Sequence, residues 1–127
     1  MKRSISALIV TWALMPWVVH AHAKLEQAMP ANGSVVATAP TSVMLMFNEA
    51  ATLTAASIQK SGDKAAQKLG PLPKAPAANF TLHLPKLASG SYTVRYRVLT
   101  DDNHVMSGTT KFTVAADAKA APSQTLR

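Results

Sequence analysis

Over residues 92–100 apolar and polar side chains alternate, with Tyr92, Val94, Tyr96 and Val98 on one side and Thr93, Arg95 and Arg97 on the other. A two-residue period puts each apolar group on one face of a pleated strand, so this stretch buries its aromatic and branched residues only as part of a sheet. Three other runs carry the same signature. Residues 42–47 set Val43, Leu45 and Phe47 against Met44 and Met46. With both faces apolar, that strand is expected to be central or covered on both sides. Residues 80–84 alternate until Pro85, which has no N–H to give a ladder. Residues 110–114 point Phe112 and Val114 inward and Lys111 outward.

Turn chemistry separates these runs. Pro30-Ala31-Asn32-Gly33 and Ala88-Ser89-Gly90-Ser91 supply the Gly and Asn residues that accept positive φ. Pro71, Pro73 and Pro76 make residues 70–79 an extended linker. Residues 50–60 are read as either one helical turn or, from Ile58 and Gln59, the start of a strand. Residues 115–127 have little apolar bulk and are read as a frayed, flexible tail. Short strands with regular turns and no long helical period imply a single all-β domain, a two-sheet sandwich or Greek-key barrel.

The chain opens with Lys2 and Arg3, an apolar run over residues 5–19, and the small-x-small triplet Val19-His20-Ala21. That is the layout of a secretory signal peptide spanning residues 1–21. The run is shorter than the roughly 20 apolar residues a membrane-spanning helix needs, and Pro16 interrupts it. Cleavage after Ala21 leaves 106 of the 127 residues, enough for one core, and makes His22 the first residue. Ala21-His22-Ala23 also satisfies the cleavage rule, and a cut after Ala23 would discard His22. Trp12 and Trp17 leave with the leader in either case.

The leader takes two of the basic residues, so the formal charge falls from +7 to +5, and the remaining lysines and arginines are dispersed along the chain. Dispersed charge on an exported domain favours solubility over nucleic-acid binding. There is no cysteine, which excludes disulfides, thiolate metal sites and a cysteine nucleophile. Any metal must be held by nitrogen, carboxylate oxygen or thioether. No Gly-rich phosphate loop and no serine–histidine–aspartate arrangement is legible.

Two places carry metal-binding chemistry. A histidine at the first position offers its α-amine and its imidazole, a nitrogen pair that borderline metals such as Cu(II) favour. Asp102-Asn103-His104, between the two clearest strands, sets a carboxylate and an imidazole two residues apart. In extended backbone both would project from the same side. His22, Asp102 and His104 together would give three nitrogens and one oxygen, the tetragonal set that suits Cu(II) better than Zn(II). Asp101 is the alternative carboxylate if the turn rolls by one residue. Met29 and Met106 are read as flanking this region and packing, Met44 and Met46 as core filler, and His83, Arg95 and Arg97 as surface residues.

His22-Ala23-Lys24-Leu25 followed by Pro30-Ala31-Asn32-Gly33-Ser34 resembles the opening of the CopC family of periplasmic copper-binding proteins. Leu45-Met46-Phe47-Asn48-Glu49 is similar to that family's Phe-Ser-Glu strand end. Gly90-Ser91-Tyr92-Thr93-Val94, then Asp102-Asn103-His104 to Gly108, and Phe112-Thr113-Val114 resemble its C-terminal half. The resemblance covers nearly all of residues 22–114. It implies an immunoglobulin-like Greek-key β-barrel of about seven strands. It also implies a Cu(II) site of His22, Asp102 and His104, with Glu49 supporting a ligand by hydrogen bonding. The implied role is a monomeric periplasmic copper carrier or buffer, in copper resistance or uptake, exchanging its ion with an inner-membrane copper transport protein and without catalytic turnover. Some members carry a second, Cu(I)-type site in a methionine-rich loop with a histidine. Residues 53–79 contain neither residue type, so no thioether site is expected at that place. Where the family often has Gly, this chain has Asn103, which tolerates the left-handed region.

Two other classes stay open. A histidine-brace copper monooxygenase uses the same first residue, although such enzymes need a longer chain and a broad substrate face. A metal-free immunoglobulin-like interaction module would leave Asp102 and His104 as turn decoration. Nitrogen ligands coordinate only when deprotonated. Cu(II) affinity of the processed protein is therefore expected to fall from neutral to mildly acidic pH, measured by competition titration; a flat profile would remove the nitrogen ligands from consideration.

Overall fold

The computed structural model describes residues 23–120, with side chains through Ala116. The expected leader, His22 and residues 121–127 lie outside the described residues. Seven strands make up the chain: β1 (Leu25–Met29), β2 (Ser34–Ala39), β3 (Ser42–Lys60), β4 (Gln67–Lys68), β5 (Ala77–His83), β6 (Gly90–Leu99) and β7 (Val105–Ala120). No described segment is helical, so the all-β expectation holds.

One long strand organises the rest. The first half of β3 pairs antiparallel with β1 on one edge and β5 on the other, setting Leu45 between Ala28 and Phe80. Its second half pairs with β6, from Thr52↔Leu99 to Lys60↔Tyr92, and briefly with β4. Between the halves the ladder loses register, and the strand passes from one sheet to the other. β6 and β7 form an antiparallel pair, and β2 closes the second sheet by lying parallel to β7. The turn after β1 is tied to β7 as well: Gly33, at φ 82°, donates its N–H to the Lys111 carbonyl at 2.7 Å. The Asn32 side chain accepts from the Lys111 N–H at 2.8 Å.

The inward positions of the two sheets meet as a single core. Val43, Leu45, Leu53, Val94, Val98, Phe112 and Val114 are all within 2 % of full burial. These are the inward halves of the alternating runs read from sequence. Phe47 bridges the layers by meeting Tyr96 edge-on at 5.4 Å, while within the sheets Phe47 meets Phe80 edge-on at 5.9 Å and Tyr92 stacks on Phe112 at 5.7 Å. Such pairs contribute about 0.5–1.5 kcal/mol each beyond the area they bury. Tyr96 stands directly opposite Gly108, and its phenol occupies the space a Cβ there would fill.

Three expectations need correction. Residues 50–60 form no helical turn; they continue β3, because Leu53, Ala56 and Ile58 are needed as inward positions of the second sheet. The expected tail also begins later than residue 115, since β7 runs to Ala120 and pairs Lys119 and Ala120 with Thr38 and Ala39. Finally, β3 is central as expected, but Met44 on it is not core filler. Met44 keeps 38 % of its surface exposed on the outer face of the first sheet.

Tyr92 and Tyr96 are the only tyrosines in the chain. Burial pushes both phenols above the ordinary tyrosine range, and the Asp63 carboxylate adds to this at Tyr92. An unfolded chain would ionise them first, so the stability tied to the neutral phenols is present below about pH 10 and is lost as pH rises further. Ultraviolet difference titration should show both phenolates forming later than free tyrosine. Stability measured in urea should decline across the same window; titration at the ordinary value would mean that the two rings are solvated.

Candidate metal centre

β6 ends in a closed turn rather than in extended backbone. Thr100, 4 % exposed, donates its N–H to the His104 carbonyl at 2.9 Å, and the Asn103 N–H reaches the Thr100 carbonyl at 3.0 Å. Closing this loop requires a left-handed residue, and Asn103 takes that place at φ 64°. Asparagine populates that region at little cost, which is why Asn suffices here. The hydroxyl of Thr100 then works in two directions. It accepts the His104 N–H at 3.1 Å and donates to Asp102 Oδ1. Asp102 and His104 do come together, but through this turn and not through the same-side projection expected of an extended strand.

The second oxygen of Asp102 lies 3.0 Å from His104 Nδ1, with both side chains about half exposed. Nitrogen and oxygen bonds of about 2.0–2.2 Å place neighbouring ligands of a square or octahedral ion about 2.8–3.1 Å apart. The observed spacing therefore matches two adjacent donors of one cation. It serves equally to orient the ring, since a carboxylate facing one imidazole nitrogen fixes the tautomer at the other. Asp101 is exposed in the same turn.

The start of β1 is anchored at the bend of β3. The Asn48 side-chain oxygen accepts the Lys24 N–H at 2.6 Å, and the Asn48 N–H donates to the Lys24 carbonyl at 2.9 Å. Ala23, immediately before, is 3 % exposed. The chain is thus held up to the residue after His22, which itself lies outside the described residues. Glu49 follows Asn48 on the bend and is half-buried. The end of β6 reaches the same stretch through Thr52↔Leu99. Both candidate regions consequently approach residues 48–52 of β3 from neighbouring strands. Among the described residues no three histidine, aspartate or glutamate side chains are gathered to share an ion, so Glu49 does not form one cluster with Asp102 and His104.

The other residues singled out in the sequence fall as follows. His83, Arg95 and Arg97 are exposed on outer faces, and Met106 packs partly against the core. Met29 does not flank the turn; it stands at the far end of β1 from Lys24. Two positioning residues escaped the reading. Thr100 ends the alternating run where a side-chain turn is common, and that was its available signal. Asn48 had none beyond its place in the Phe47-Asn48-Glu49 motif.

Comparison with known proteins bears on this geometry. The CopC domain family model matches residues 25–115. The chain belongs to the CopC family. Among solved structures it is similar to CopC from Methylosinus trichosporium OB3b, with 33 % identity over 73 % of this chain and 93 % of that one, at a TM-score of 0.60. It is also similar to PcoC, a methionine-rich copper resistance protein from Escherichia coli. There the identity is 28 % over 75 % of this chain and 100 % of that one, at a TM-score of 0.59. A comparison with curated proteins finds no match. The CopC fold is a Greek-key β-barrel, and the bent β3 with its two sheets is that architecture in this chain.

If the Thr100 hydroxyl organises the turn, Thr100→Val leaves the His104 N–H without its acceptor and costs about 1–3 kcal/mol. Urea unfolding measures that loss, and Thr100→Ser should restore most of it. In the valine variant the ring resonances of His104 should also lose their dependence on Asp102; unchanged stability and shifts would make the hydroxyl incidental.

Proposed function

We propose that this CopC-family chain is a periplasmic copper carrier that takes one Cu(II) as cargo between His22 and the Asp102–His104 turn. Removal of residues 1–21 makes His22 the first residue, supplying an amine and an imidazole. Asp102 and His104 supply a carboxylate and a third nitrogen, and Glu49 supports the terminal ligand from the bend of β3. The observation that carries this reading is the 3.0 Å spacing of Asp102 Oδ2 and His104 Nδ1 on a turn that approaches the same bend as the anchored start of β1. Family membership and the similarity to a copper resistance protein support the choice of metal.

The chemistry is ligand exchange without turnover. A rigid barrel holds the donors, while half exposure of the pair lets an incoming ligand from an inner-membrane copper transport protein reach the ion. Tetragonal nitrogen and oxygen donors favour Cu(II) over Zn(II), and the absence of cysteine excludes a thiolate competitor. The processed domain acts as a monomer in this scheme.

Competition titration of Cu(II) into processed protein tests the assignment residue by residue. Glu49→Gln should weaken binding by roughly 10–100-fold, the usual effect of an outer partner, and His104→Ala and Asp102→Ala should each cost more. A form beginning at Lys24 should bind worst. Equal affinity for the forms beginning at His22 and Lys24 would overturn the proposal.

A further inference from the structure

Antiparallel pairing sets two rows of side chains on the outer face of the second sheet. Lys68, Ser57, Arg95 and Thr109 stand opposite one another across β4, β3, β6 and β7. Two residues along the strands, Ala55, Arg97 and Ser107 form the next row. Val94 and Val98 of β6 are fully buried, so Arg95 and Arg97 between them point outward, and both are exposed. Every member of the two rows lines one open groove of about 690 Å³.

The groove carries one sign of charge. Lys68, Arg95 and Arg97 are its charged lining residues, and no carboxylate lines it. No ion pair among the described residues involves any of the three. Arg95 Nη1 instead donates to Gln59 Oε1 at 2.9 Å, a neutral partner that steers the guanidinium without cancelling its charge. Lys111 adds another exposed cation one row further on, opposite Thr93. Like charges on one face of a sheet repel, and a surface made only for solubility interleaves both signs. An anion bound in the groove relieves that repulsion.

We propose that this groove docks an extended acidic segment of a partner protein, with carboxylates at alternate residues. Arg95 and Arg97 are two residues apart on β6, about 6.6–6.8 Å along the strand. Side chains on one side of an extended peptide recur at the same interval, so two carboxylates meet both guanidiniums together. The hydroxyls of Ser57, Ser107 and Thr109 lie alongside to bond the peptide's backbone. A lipid surface fits less well. Met29, Val35, Met44 and Val105 are the large exposed hydrophobics among the described residues, and none lines the groove, so no apolar group there is placed to enter a bilayer. Arg97 stands three residues before Thr100, about 10 Å along β6. A docked segment therefore lies near the Asp102–His104 turn, which suits a partner that exchanges an ion there. The docking itself stands on the groove and not on the copper reading.

The test titrates metal-free, ¹⁵N-labelled processed protein with a short synthetic peptide in which glutamate alternates with threonine. Amide signals of Ser57, Arg95, Arg97, Ser107 and Thr109 should move and saturate, and the affinity should fall as salt is raised. The double variant Arg95→Gln, Arg97→Gln changes only exposed side chains and should bind about fivefold more weakly or worse. A charge-matched control, Lys64→Gln with Lys86→Gln, removes two exposed cations outside the groove and should bind like the parent. Equal losses in the two double variants would reduce the effect to net charge and overturn the site. So would peptide shifts scattered over other faces, or binding to phosphatidylglycerol vesicles with none to the peptide. Cu(II) titration of Arg95→Gln, Arg97→Gln should match the parent protein, which keeps this outcome separate from the copper assignment.

Discussion

The structure hangs on one strand that belongs to two sheets. β3 gives its first half to β1 and β5 and its second half to β4 and β6, and the change of partners happens within residues 47–52. A strand doing this must bend while keeping Phe47, Ala51 and Leu53 buried. The bend also frees the edge there for short-range contacts: Asn48 turns its amide to Lys24, and Thr52 meets the last residue of β6. Two chain segments about eighty residues apart in sequence thus each reach residues 48–52, where a third strand is locally irregular.

A rigid corner alone does not make a binding site; the donors must also be preorganised. The turn after β6 does this with few parts. Thr100 is buried and fixed by the ladder, its hydroxyl spans to Asp102 and His104, and Asn103 supplies the one left-handed residue. The donors themselves stay half exposed. In the role proposed for it, a pair held from below and left open above suits an ion that is to be passed on. An enclosed site would suit permanent retention.

Much of the framework was readable from residues alone because alternation maps directly onto burial. Val43, Leu45 and Phe47, Phe80 and Leu82, Tyr92, Val94 and Val98, and Phe112 and Val114 all point where their period places them. The stretch over residues 50–60 was ambiguous for a physical reason: a register shift between Leu53 and Ala55 breaks its period, and small alanines leave little pattern to detect. The proximity of Asp102 and His104 was anticipated, but from the wrong backbone geometry, since a two-residue spacing does not distinguish a strand from a turn closed by a threonine. Asn48 was invisible because its role depends on the bend. Met44 was misread as core filler because an apolar residue on a strand gives no sign of whether anything covers its face.

The parallel pairing of β2 with β7 joins residues 34–39 to residues 112–120, near the two ends of the described chain. Nothing between them can substitute: the barrel has no closed form until the last strand exists. A nascent chain leaving the ribosome must stay open until residues 112–120 have been made, since they stitch the seam. For the exported role proposed above, late closure is an asset, because the sequence itself delays the moment at which the domain becomes too bulky to cross a membrane.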